Sequence, residues 1–185
     1  MPYTLPPNAK NAFHSQRLDC WQWEQELYDG STAIFECVTR KDSASVIAFL
    51  DPNTILLTEQ NQPGRISFID AAGGVIEPNE TPEEAAKREF FEETGYEIGK
   101  LELFQRYDST GQIRFSTHIF LATDLKKTAE QHLDAGERIT LRPTPFDEAV
   151  QLSLKRSLRQ HGVMLTILAL ALDPEAKQQL SHFLK

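Results

Sequence analysis

Residues 74 to 96, GVIEPNETPEEAAKREFFEETGY, specify the start, the stop and the charged face of one helix, and so constrain the fold around them. Thr81 is a strong N-cap, Pro82 suits the first helical position, where no N–H is needed, and Glu84 completes a capping box. Gly95 supplies the left-handed residue that ends the run, so the spacing predicts a helix over 82–94. At about 100° per residue, Glu89, Glu92 and Glu93 fall inside an arc of about 100°, interleaved with Ala85 and bordered by Ala86. Small apolar neighbours point to a face pressed against the protein rather than open to water.

Charge runs are usually solvated faces. Here the alanines argue otherwise, and Glu89 and Glu93 repel each other at i, i+4, so a cation has to compensate them. Arg88 lies beside Glu84 and Glu92 and can orient a carboxylate, yet one guanidinium cannot neutralise three acids. Hard divalent ions held by carboxylate oxygens can, and Mg2+ commonly bridges such oxygens to substrate phosphates.

The identities and offsets of Gly74, Glu80, Arg88, Glu89, Glu92, Glu93 and Gly95 resemble the defining box of the Nudix hydrolases at every fixed position. Tyr96 departs mildly, since the last position is usually a bulky aliphatic residue. The resemblance implies an α/β fold of the Nudix type, an α/β/α sandwich with a mixed sheet between helices. It also implies Mg2+-dependent hydrolysis of a nucleoside diphosphate linked to another moiety, with Mn2+ as a substitute metal. By position, Glu89, Glu92 and Glu93 are the expected metal ligands, with the backbone carbonyl of Gly73 as a fourth. Arg88 and Glu80 are expected to brace the box.

Length and charge set limits around this. With 185 residues the chain is one domain or a domain with a small appendage. A net charge of −8 without a basic cluster argues against nucleic acid or an anionic membrane as the main partner. An acidic enzyme still binds phosphorylated substrates when bound metals invert the local field. The start, MPYTLPPNAK, lacks a hydrophobic signal region, and the longest apolar run, 163–172, is about half of what a membrane span needs. The two cysteines, Cys20 and Cys37, form no disulfide framework, so buried thiols in a reducing cytoplasm are expected. His14, His118, His132, His161 and His182 show no zinc-type spacing, and His118 is expected as a packed or substrate-edge residue.

Residues 1–14 read as a loose arm, and 16–27 and 31–39 as a hairpin turning at Asp29-Gly30. Strands are expected at 46–50, 55–58, 66–69, 101–107, 115–122 and 138–142. Helices are expected to open at Thr144-Pro145 and to cover 162–172 and 174–184. Trp21 and Trp23 share one face of the hairpin, and a lone hairpin cannot bury them, so they are expected to cover the domain or a second subunit. The division is 1–39, an N-terminal arm and β-hairpin for dimerisation, and 40–185, the hydrolase domain.

The flanks are similar to the ADP-ribose pyrophosphatase-like branch of the family, which carries such a hairpin and acts as a homodimer. ADP-ribose or a related nucleotide sugar is therefore the leading substrate, with Gln60, Gln62, Arg65 and Gly74 as its expected contacts. Several residues depart from the branch pattern: Gln62 where arginine is usual, Ala72-Gly73 before the box, Ser109-Thr110-Gly111, and Arg114-Phe115 in place of an acidic pair. The general base is Glu137, in the loop Asp134-Ala135-Gly136-Glu137, or a box glutamate itself. The competing reading is a non-catalytic module that senses a nucleotide sugar. Such modules tend to lose box acids, and this chain keeps them all.

Overall fold

A computed structural model describes residues 4–109 and 111–185. Its strands are β1 (Lys10–His14), β2 (Leu18–Glu26), β3 (Thr32–Arg40), β4 (Ser43–Asp51), β5 (Thr54–Asn61), β6 (Phe68–Val75), β7 (Tyr96–Asp108), β8 (Ile113–Arg114), β9 (Ser116–Lys127) and β10 (Arg138–Pro145). Its helices are α1 (Pro82–Thr94), α2 (Phe146–Leu154), α3 (His161–Leu172) and α4 (Pro174–Phe183). A six-stranded mixed sheet runs β10-β5-β6-β4-β9-β7, and a four-stranded sheet runs β1-β2-β3-β8.

The large sheet is buried on both faces because its strands alternate two sets of apolar residues. Ala44, Val46 and Ala48 of β4, with Leu56, Ala72, Phe120 and Ala122, pack against Ala85, Ala86 and Phe90 of α1. Ile47 and Phe49 of the same strand, with Ile55, Leu57, Ile119 and Leu121, face Ala149, Val163, Ile167 and Leu170 of α2 and α3. The result is the expected α/β/α sandwich, with α1 alone on one side.

Helix α1 has the predicted ends. Thr81 Oγ1 accepts the Glu84 N–H at 3.2 Å, Glu84 returns a carboxylate to the Thr81 N–H at 2.8 Å, and Gly95 closes the helix at φ 71°. The strand before it differs from expectation. Ile66 is exposed in the turn after Gly64, and β6 runs instead from Phe68 to Val75, carrying the glycines of the box. Pairing to β4 holds that segment: Ser45 faces Gly73 and Ala44 faces Gly74.

The arm also differs, because its last residues form β1 against β2. Residues 1–3 of that arm and Thr110 of the expected Ser-Thr-Gly turn lie outside the described residues. The tryptophan face needs a larger correction. Trp23 is only 6% exposed, packing near Phe35, and Trp21 is half-buried with its Nε1–H on Thr39 Oγ1. Phe35 is exposed on that face, and the opposite face of the hairpin carries three exposed apolar side chains, Phe13, Leu18 and Ile34. Cys37 is buried, which raises its thiol pKa, whereas Cys20 is half-exposed; both are free thiols. By register they point to opposite faces.

Candidate active site

Arg88 organises the acidic face of α1. Its Nε and Nη2 grip both oxygens of Glu80 at 2.8 and 2.9 Å, and Nη2 also donates to the Val75 carbonyl at 3.1 Å. Its Nη1 donates to Glu89 at 2.8 Å and to Glu92 at 3.2 Å. The fork fixes the box loop to the helix and orients two of the acids. In return, the Glu80 hydrogen bonds hold the guanidinium protonated more firmly than usual and hold Glu80 below the usual carboxylate range.

Glu93 faces inward. It is 5% exposed, and its Oε2 accepts the Gly73 N–H at 2.9 Å. Burial pushes its carboxyl up to about 9, with Glu89, Glu137 and Asp70 adding repulsion. Burial also raises Glu89, against the pull of Arg88. The strand beneath is glycine for reasons of space. A Cβ on Gly74 would collide with the Glu89 carboxylate, and one on Gly73, at φ 152°, would strike the Ala44 carbonyl. Backbone and carboxylates therefore approach as closely as glycine permits.

These acids do not form a ready-made cage: among the described residues no group of three or more His, Cys, Asp or Glu is gathered to hold a metal. Arg88 and Gly73 engage them individually. The donor set nevertheless suits Mg2+. It is all hard oxygen, and Glu93 is a buried carboxylate that one N–H cannot sustain as an anion beside other acids.

Across the site, Glu137 follows a turn closed by its own N–H on the Asp134 carbonyl at 2.9 Å. Gln62 Nε2 donates to Glu137 Oε1 at 3.4 Å, and burial and Asp134 raise the Glu137 carboxyl. A cavity of about 220 Å³ opens beside them, lined by Asn61, Pro63, Ala135, Gly136, Glu137 and Arg138. Gln62 and Glu137 are thus brought together, and Arg65 stays exposed on the adjoining turn. Gln60 stands apart: it is 6% exposed and spends its amide on Thr58 Oγ1 at 3.0 Å. His118 is packed as expected, its Nδ1 without a hydrogen-bond partner among the described residues, beside a cavity of about 460 Å³ behind the box loop.

Two residues near the acids were given no site role by sequence reasoning, although Asp70 stands where the resembled branch has an acid ahead of the box. Asp70 is 2% exposed on β6, accepts the Ala71 N–H at 2.9 Å, and burial pushes its carboxyl up to about 7. A lone acid in an otherwise apolar strand was the available signal. Gln131 donates to the Glu93 carbonyl at 2.6 Å, and nothing in the sequence around it marks that role.

Known proteins resemble this chain over most of its length. The NUDIX domain model matches residues 39–164. A methanol dehydrogenase activator of Bacillus methanolicus is 31% identical over 157 residues, 83% of this chain and 85% of its own. An ADP-ribose pyrophosphatase of Bacillus subtilis is 29% identical over 149 residues, 79% and 80% of the two chains. A GDP-mannose pyrophosphatase of Shigella flexneri is 25% identical over 150 residues, 78% and 75% of the two chains. A solved ADP compounds hydrolase superposes with a TM-score of 0.78 over 94% of each chain at 18% identity, a likeness of fold.

Proposed function

This chain belongs to the NUDIX family and is a hydrolase of diphosphate bonds, and from that premise we propose that it cleaves ADP-ribose or a related nucleotide sugar with Mg2+. The observation that carries the proposal is the acid face itself: Glu89 and Glu92 on one arginine, Glu93 on the Gly73 N–H, and Glu137 within electrostatic reach of all three. Relatives named for ADP-ribose and GDP-mannose support a nucleoside diphosphate joined to a sugar.

Glu89, Glu92 and Glu93, with the Gly73 carbonyl, would hold the metal; Mn2+ would substitute. Bound there, the ion lowers the pKa of a water and neutralises charge on the diphosphate. Arg88 keeps Glu89 and Glu92 pointed at one place. Glu137, its carboxyl raised by burial, is the proton acceptor for the attacking water, held in position by Gln62. Gln62, Arg65 and the backbone at Gly74 line the substrate side, and Gln60 stays behind them with its amide on Thr58. Two free thiols fit a reducing cytoplasm, and among the described residues no helix is long and apolar enough to cross a membrane. The working unit is a homodimer joined through residues 1–39.

Phosphate release from ADP-ribose, GDP-mannose, dinucleoside polyphosphates and nucleoside triphosphates, with Mg2+ and after chelation, tests the reading. The nucleotide sugars should give the highest kcat/KM, and chelation should abolish turnover. Preference for triphosphates would overturn the substrate assignment, and absence of metal-dependent release from any compound would favour a sensing module.

A further inference from the structure

The C-terminal turn of α1 carries Glu92 and Glu93, and a helix end leaves its last carbonyls without intrahelical donors. In this chain the end of β9 and the segment after it supply them. Lys127 Nζ donates to the Thr94 carbonyl at 2.6 Å, the Thr128 and Ala129 N–H groups to Gly95 at 3.1 and 3.2 Å, and the His132 N–H to Glu92 at 2.8 Å. The Glu93 carbonyl is reached by a side chain: Gln131 Nε2 donates to it at 2.6 Å. The same nitrogen donates to the Ile139 carbonyl at 3.1 Å.

The second bond changes what the first one does. Ile139 is on β10, two residues past Glu137, and Gln131 lies just ahead of the loop that carries Glu137. One half-buried amide therefore ties together the backbone of a box acid, the base of the Glu137 loop and the strand that follows it. The two halves of the acid site come from segments far apart in the chain, and this group bonds to both, to Glu93 on α1 and to Ile139 past Glu137, alongside the His132 N–H on Glu92.

We propose that Gln131 is a positioning residue, a clasp that sets the Glu137 loop in register with the acids of α1. The inference rests on the hydrolase reading for what the register serves. The geometry of the clasp stands without that reading. A planar amide whose two N–H groups reach two carbonyls fixes direction as well as distance, which a flexible ammonium at the same place does less well.

The test compares Q131M, which keeps length and apolar bulk but has no N–H, with Q131K, which restores donors, and with K127M. The last removes a neighbouring bond of the same strap that ends on Thr94 rather than on a box acid. Outer-shell partners of a metal site typically contribute 10–100-fold to affinity or activity. Q131M should lower kcat by at least about tenfold with KM within about threefold, Q131K should recover part of it, and K127M should lose thermal stability while keeping kcat. Two readouts need no turnover: Mn2+ affinity of the substrate-free protein should weaken in Q131M, and hydrogen exchange should rise in residues 128–139. Wild-type kcat and Mn2+ affinity in Q131M would overturn the clasp. So would an equal loss of kcat in K127M at the same loss of melting temperature. Should the wild type itself release no phosphate, the hydrolase reading fails, and Mn2+ affinity and exchange still decide the clasp.

Discussion

Each acid in the site has its own environment, and the environments separate their tasks. Glu93 is the most enclosed, so E93Q keeps shape and an acceptor for the Gly73 N–H while removing the charge. It should lower kcat by ~10²–10⁴ and, in chelator near neutral pH, raise the melting temperature, because the buried Glu93 has to take up a proton on folding and the amide does not; turnover at the wild-type rate would refute the assignment. Gly74 supports the same site from below. In G74A the new methyl displaces the Glu89 carboxylate, which is the free end of a side chain and can move, so the fold should persist. Activity should fall roughly 10²-fold with little change in melting temperature, and equal losses in both would show the strand to be disrupted instead. Asp70 yields a pH prediction. Its carboxyl, raised from 3.8 to about 7 by burial, binds its proton more tightly in the fold than in the unfolded chain. Its contribution to stability is therefore fully present below about pH 4 and is lost as pH rises through 7. D70N, measured in chelator, should gain stability over the wild type between pH 5 and 8, approaching roughly 2–4 kcal/mol. A constant difference across that window would mean that Asp70 is ionised in the native protein.

At the scale of elements, helix α1 was legible to the residue because its ends are encoded locally, in Thr81, Pro82, Glu84 and Gly95. T81A removes the side-chain half of the capping box, the Thr81 Oγ1 that accepts the Glu84 N–H, and leaves the Thr81 N–H on the Glu84 carboxylate; it should cost about 1 kcal/mol, read as a fall in the denaturant midpoint. Strand β6 was less legible. Its glycines disfavour a strand on local grounds, and they are extended because β4 lies alongside and α1 lies above. Strand β1 was illegible for a similar reason, since five exposed residues become a strand only by pairing with β2. The candidate site divides the same way. Glu89, Glu92, Glu93 and Arg88 share one helix and could be read from spacing. Gln131 could not, because its partner Glu93 is 38 residues away and is engaged through a carbonyl that every residue has.

For the whole molecule, the consequential correction concerns which face of the hairpin looks outward. The sequence places Trp21 and Trp23 on one face, and that holds, but the chain covers Trp23 itself and satisfies the Trp21 N–H on Thr39. The tryptophans therefore cannot be the reason for a dimer. The other face supplies one. Phe13, Leu18 and Ile34 are 61, 45 and 60% exposed, and the register of β1, β2 and β3 sets them on the same side. Three large apolar side chains on a small sheet form a patch that a second copy of the same sheet can cover by a twofold axis. A chain of net charge −8 repels its copy at long range, so salt should favour the association, as it would for contacts that are apolar at the centre. Light scattering at micromolar concentration should thus give twice the 21.0 kDa of one chain. The double variant L18E/I34E should give the single-chain mass with unchanged circular dichroism, because neither side chain is in the core of the monomer. A wild type that remains a fully active monomer would remove the homodimer altogether. A dimer that survives L18E/I34E would move the contact to another surface, and deletion of residues 1–39 would then decide whether the small sheet takes part at all.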